Sequence, residues 1–224
     1  MEHLRDQLQK LNLSHCASSH CFLEHALLSC LSDNTPPDRQ GIWSSLARLV
    51  WTRNGLKFFD PSTLSLTPGM ERIDLSYNHL SEADGLESLQ RLTHVALSYN
   101  RLKSLPPFSS ECRIHSLYVS NNHLRNLAGL EALTSLVEVD LSCNLLLHHD
   151  DLAPISALPL LQRLDTRGNP FTVDRQHRSN VMPWLHKDIS TDGFVLDGQV
   201  LTKREGRNVL ILILFNPRLM RSCL

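Results

Sequence analysis

An asparagine recurs through the middle of this chain, each time closing the same eleven-residue phrase, L-x-x-L-x-L-x-x-N-x-L. Asn54, Asn78, Asn100, Asn122, Asn144 and Asn169 hold the ninth position, in successive steps of 24, 22, 22, 22 and 25 residues. The phrase reads LARLVWTRNGL from Leu46, MERIDLSYNHL from Met70 and LTHVALSYNRL from Leu92. It returns as IHSLYVSNNHL from Ile114, LVEVDLSCNLL from Leu136 and LQRLDTRGNPF from Leu161. This is the leucine-rich repeat period. It predicts an α/β solenoid of short 22–25-residue repeats, with a parallel sheet on the concave face and a C-terminal cap.

Each phrase holds a short strand, and period-two alternation sends its second and third apolar residues inward. In the third phrase those are Val95 and Leu97, with His94, Ala96 and Ser98 facing the other side. The asparagine turns the chain out of the strand, and its buried amide must bond the backbone of adjoining coils. Asn100→Ala is accordingly expected to cost about 1–3 kcal/mol. Asn121, one residue before its ladder position, is expected to tolerate alanine within about 0.5 kcal/mol. After the turn, apolar residues recur every three positions: Leu86, Leu89 and Leu92; Leu127, Leu130 and Leu133; Ile155, Leu158 and Leu161. That spacing suits one or two turns of tight helix with a single buried edge. Leu105-Pro106-Pro107-Phe108 is expected to run extended instead, because consecutive prolines exclude helix.

The ends divide the chain further. Leu8, Leu11, Leu13 and Cys16 read L-x-x-L-x-L-x-x-C, which places another strand near residue 1. Residues 1–45 are thus read as a partial first repeat with an amphipathic helix (22–31) and an exposed loop (32–41). No residues remain to cover that first coil, so the chain is expected to lack a leading cap. The repeats occupy 46–171. Residues 172–205 form the cap, where Val173, Val181, Trp184 and Leu185 are expected to pack over the last coil and 194–201 to form a final strand and turn. Residues 206–224 continue no repeat, and the apolar run 209–215 is expected to pair with an exposed edge.

Composition narrows the function classes. The formal net charge of -1 comes without a basic stripe in the sequence, against nucleic-acid binding. The opening residues lack a secretory apolar core, and 209–215 is too short to cross a bilayer. Six cysteines without flanking clusters read as reduced thiols, in keeping with a cytoplasmic protein.

The SYNHL and SYNRL turns, the DLSCNLL repeat with its longer loop, GNPF and GFVLDGQVLT together resemble one family's repeat domain. That family is the serine/threonine-protein kinase 11-interacting proteins, and the resemblance runs from about Leu8 to Thr202. Members are longer at both ends, and the residues after Gly206 match nothing in them. The resemblance implies a non-enzymatic scaffold of cytoplasm and endolysosomal surfaces, with a serine/threonine kinase among its protein partners. Repeat proteins that regulate a phosphatase share the period and a similar cap. An RNA-associated repeat protein is a third reading, disfavoured by the charge.

Solenoids of this kind bind on their concave face. Its candidate partner-binding residues are Arg72, Asp74, Tyr77, His94, Tyr99, Tyr118, Glu138, Asp140, Arg163 and Asp165. Tyrosine and arginine are good interface anchors. His148-His149-Asp150-Asp151 reads as a solvated loop, since adjacent residues seldom converge on one metal ion. The Cys16, His20, Cys21, His25, Cys30 set reads as core and ladder rather than zinc ligands. No cofactor-binding or catalytic motif is present; Glu138 and Asp140 share a strand face but read as solvated carboxylates.

Overall fold

The computed structural model describes residues 8–15, 43–59, 61–189, 193–202 and 205. The readings made for the helix at 22–31, the loop at 32–41, the cysteine–histidine set from Cys16 to Cys30 and the run 209–215 lie outside those residues.

Three-residue strands recur once per phrase: β1 (Lys10–Asn12), β2 (Arg48–Val50), β3 (Arg72–Asp74), β4 (His94–Ala96), β5 (Ser116–Tyr118), β6 (Glu138–Asp140) and β7 (Arg163–Asp165). β8 (Val195–Leu196) and β9 (Gln199–Val200) follow, and the nine form one sheet in sequence order. Pairing is parallel from β1 to β8, and β8–β9 is an antiparallel hairpin. β1 pairs directly with β2 although 35 residues separate them in sequence.

The strands are short because the curved stack asks each coil to deliver only two inward side chains before turning. Leu49, Ile73, Val95, Leu117, Val139 and Leu164 make one buried column, and Trp51, Leu75, Leu97, Val119 and Leu141 the next. Leu46, Met70, Leu92, Ile114, Leu136 and Leu161 close the core from below. Each such side chain removed from water contributes about 1.5–3 kcal/mol, but only when neighbouring coils cover it, so the array folds as a unit.

On the convex side, Leu86–Ser88 and Leu130–Ala132 form single 3-10 turns, while residues 105–108 run without helix. Leu105 and Phe108 are buried there all the same. Two expectations are corrected. His148–Asp151 is not a solvated loop but the start of a 3-10 helix, His149–Ala157. Asp151 accepts the Leu147 and His148 amides at 2.9 Å each, satisfying donors that a helix start leaves orphaned. Val173 does not pack over the last coil. It ends the 3-10 segment Pro170–Val173 and is 84% exposed, while Phe171, Val181 and Met182 are buried. Trp184 and Leu185 pack partly against the core.

Candidate functional site

The ladder asparagines are all buried. Asn100 Nδ2 donates to the Leu75 and Leu97 carbonyls at 3.0 and 2.9 Å, and its Oδ1 accepts the Leu80 amide at 3.0 Å. One side chain thereby ties three backbone segments. Asn78, Asn122, Asn144 and Asn169 repeat this pattern, and Asn54 reaches back to the Leu13 carbonyl at 2.7 Å.

The residue just before each ladder position has a left-handed backbone: His15, Arg53, Tyr77, Tyr99, Asn121 and Cys143 have φ between 53° and 59°, and Gly168 has 74°. These stack into a column along the rim. Tyr77 and Tyr99 are parallel rings 4.3 Å apart, 42% and 46% exposed. The Arg53 guanidinium covers the other face of Tyr77 at 4.6 Å, and its Nη1 lies 3.4 Å from His15 Nε2. The Tyr77 phenol beside it holds Tyr99 ionisation above the ordinary tyrosine value. This column also corrects the reading of Asn121. Asparagine tolerates the left-handed region, whereas an alanine Cβ there costs roughly 1 kcal/mol.

The concave strand positions fall into two rows. Arg48, Arg72, His94, Ser116, Glu138 and Arg163 are register partners in the first, and Val50, Asp74, Ala96, Tyr118, Asp140 and Asp165 in the second. Arg72, Asp74, His94 and Tyr118 meet around a shallow hollow of about 160 Å³, which Arg48 and Ala96 also line. Burial, then the positive charges of Arg72 and His115, holds His94 below the ordinary histidine value. The far half is internally paired. Tyr118 donates to Glu138 at 3.0 Å, Glu138 meets Arg163 at 4.0 Å, and Asp165 pairs with Arg167. Burial, then the Glu138 hydrogen bond, raises the Tyr118 value. Asp140 Oδ1 accepts the Ser142 amide and hydroxyl at 2.9 and 2.6 Å.

Sequence reasoning missed a polar cluster inside the cap. Thr166 stands where the other phrases put an inward apolar residue, and it is fully buried. Asp197 Oδ1 accepts the Thr166 amide at 2.7 Å and its hydroxyl at 2.9 Å, while Oδ2 faces His177 Nε2 at 3.0 Å. His177 Nδ1 faces His149 Nε2 at 3.2 Å, and Phe171 packs on both rings. Burial pushes the Asp197 carboxyl up, but the bonds from His177 and Thr166 outweigh it and leave it below the ordinary carboxylate value. Burial, then His177, lowers His149. The threonine in place of leucine was the readable signal. Although a hydroxyl, an imidazole and a carboxylate meet here, they do not form a nucleophile relay. In such a relay the carboxylate bonds the imidazole nitrogen opposite the hydroxyl, whereas Thr166 Oγ1 and Asp197 both approach Nε2.

Among the described residues no group of three or more His, Cys, Asp or Glu is placed to hold a metal, and no helix is long and apolar enough to cross a membrane.

The chain is 34% identical over 206 residues to human serine/threonine-protein kinase 11-interacting protein, which covers 89% of this chain. It is 31% identical over 205 residues to the Gallus gallus protein of that name, again over 89% of the chain. The chain is thus similar to a repeat segment of the serine/threonine-protein kinase 11-interacting proteins. It spans 18% of the length of each of these two relatives. Human PH domain leucine-rich repeat-containing protein phosphatase 1 is 32% identical over 58% of the chain and 8% of its own length. A solved leucine-rich-repeat protein of Leptospira interrogans matches 80% of this chain and 42% of its own at a TM-score of 0.58 and 21% identity, a likeness of fold. No protein-family profile matches the chain. The fold is a leucine-rich repeat solenoid, and the protein is a repeat module of the protein-interaction kind.

Proposed function

We propose that this solenoid is a non-catalytic, cytoplasmic adaptor that holds a protein partner on its concave face, with a serine/threonine kinase as the partner class. The supporting observation is that Arg72, Asp74, His94 and Tyr118 converge on the concave hollow, while Tyr77 and Tyr99 stack with exposed rings at the turns that follow their strands. Exposed aromatic and arginine side chains are the usual anchors of protein interfaces. The kinase assignment draws on the printed name of its relatives. Peripheral association with endolysosomal surfaces through partners belongs to the same reading. In it the coils of 46–171 are the binding body and 172–205 the cap that closes them. The phosphatase likeness covers a smaller share of the chain and favours the alternative less.

The test is interferometry with purified serine/threonine-protein kinase 11. Tyr99→Ala with Tyr118→Ala is expected to weaken capture by more than about 2 kcal/mol. Convex changes at Glu87 and Gln90 are expected to leave it intact. Retained binding in the tyrosine variant, with loss in the convex one, overturns the concave assignment.

A further inference from the structure

We propose that the N-terminal half of the concave face docks an extended acidic segment of a partner protein, which seats one large apolar side chain over Ala96 and sets carboxylates against Arg72 and Arg48. The proposal rests on the reading of the concave face as the partner surface and names the chemistry that surface selects.

Charge comes first. Strand register puts Arg48, Arg72 and His94 at one position on three adjacent strands, and Lys10 continues the row on β1. Adjacent strands lie about 4.8 Å apart, so residues distant in sequence become a compact basic row. Among the described residues neither Arg48 nor Arg72 forms an ion pair, whereas Arg163, Arg167 and Arg178 each meet a carboxylate. Asp74 shares the hollow, but its Oδ1 is engaged by the Ser76 amide at 3.0 Å. Burial first, and then the positive field that Arg72 leads, hold His94 below its ordinary value. A carboxylate-bearing ligand relieves that field.

Shape comes second. Ala96 sits in register between Asp74 and Tyr118, so the small side chain leaves the floor of the 160 Å³ hollow open beside the Tyr118 ring. A space of about 150 Å³ is the size of a benzene ring, so one phenylalanine or leucine side chain matches this open hollow in volume. An extended chain presents alternate side chains about 7 Å apart on one side. With one apolar residue over Ala96, acids two to four positions away reach Arg72 and then Arg48. A polynucleotide fits less well, because Asp74, Asp140 and Asp165 occupy the second row and repel a continuous line of phosphates.

The test uses the whole chain and a fluorescein-labelled peptide, Asp-Glu-Asp-Glu-Phe-Gly-Ser, read by fluorescence anisotropy. Saturable, salt-weakened binding is expected. Arg48→Glu and Arg72→Glu should each weaken it at least about tenfold, since charge-assisted bonds are lost and repulsion introduced. Replacing the peptide phenylalanine by glycine should also weaken binding, and Ala96→Phe should do so by filling the hollow. Arg125→Glu, outside the strands, is the control, and thermal melts verify folding of each variant. Absent peptide binding, binding indifferent to Arg48→Glu and Arg72→Glu, or equal affinity for a single-stranded RNA of matched charge overturns the proposal. If the acidic peptide fails while the Tyr99 and Tyr118 changes still abolish kinase capture, the acidic-segment proposal falls and the concave docking reading stands. If the peptide binds as described while kinase capture ignores concave changes, the kinase reading falls instead.

Discussion

In the central coils a strand end is tied by a neutral amide, as where Asn100 joins the Leu75 and Leu97 carbonyls to the Leu80 amide. After β7 Asn169 keeps that tie, but the sixth-position backbone amide of the phrase meets an ionisable side chain. The Leu141 amide bonds the Asp165 carbonyl of the next coil, but the Thr166 amide finds the Asp197 carboxylate instead. The difference follows from what lies beyond. A coil followed by a coil receives a regular row of carbonyls and amides. The last coil receives a two-residue strand and a turn at Asp197-Gly198, both with positive φ, which suits a tight hairpin. Side chains must supply the partners the backbone no longer offers. Coils and cap are therefore stabilised by the same logic with different sensitivity to charge.

The comparison breaks most severely at Asp197. Asp197→Ala leaves the Thr166 amide and hydroxyl and His177 without their carboxylate, all in buried surroundings. Each buried donor left without its acceptor costs about 1–3 kcal/mol, and Asp197→Asn should recover part of the loss. The loss should appear in hydrogen exchange at Val181 and Leu196, with Leu97 keeping its protection, because solenoid contacts are local. A uniform loss along the array would show that the cap is not a separate cooperative unit.

Asn100→Ala is expected to cost about 1–3 kcal/mol by stranding buried backbone groups, and urea melts at fixed pH measure it. Its rim neighbour sharpens the point. Asn121→Ala should cost roughly 1 kcal/mol for a left-handed alanine, and Asn121→Gly should restore most of that. Equal costs for Asn121→Ala and Asn121→Gly would mean that the side chain of Asn121, not its φ, matters.

The smallest effect is acid. His149, Asp197 and Glu205 all have folded values below their ordinary ones, and the Arg178 hydrogen bond brings Glu205 down to about 2. A depressed folded value means stability fully present above the unfolded value and lost as pH falls toward the folded one. Loss should start below about 6.5 through His149 and continue below about 4.5 through the two carboxyls. Amide NMR shifts at Leu196 and Val181 should move over that range before those of Leu105, which lies away from His94, the coil histidine whose value is also lowered. Simultaneous movement would place the acid-sensitive groups in the coils.

Much of the coil architecture was legible because a period of about 22 residues leaves little freedom. Once Val95 and Leu97 face inward, His94 and Ala96 must face the concave side, and the strand register follows. The start of the helix at His149 was misread because four polar residues in a row look solvated. Only the fold shows Asp151 closing a helix start and His149 lying on Phe171 and His177. Val173 was misassigned because apolarity alone does not say which side of a short 3-10 segment faces the core. Asn121 was judged by its distance from the ladder, when its backbone conformation decides.

The sequence by itself determined the solenoid, its repeat length and the face each strand residue takes, since periodicity is a local property of the chain. Tertiary structure alone decided which polar side chains meet beyond the last coil. Arg48 and Arg72 share a phrase position and are neighbours by the repeat itself, whereas Thr166 and Asp197 meet only when the chain returns to close its last coil. Partners so separated leave no spacing signal, because the intervening loop can be of any length.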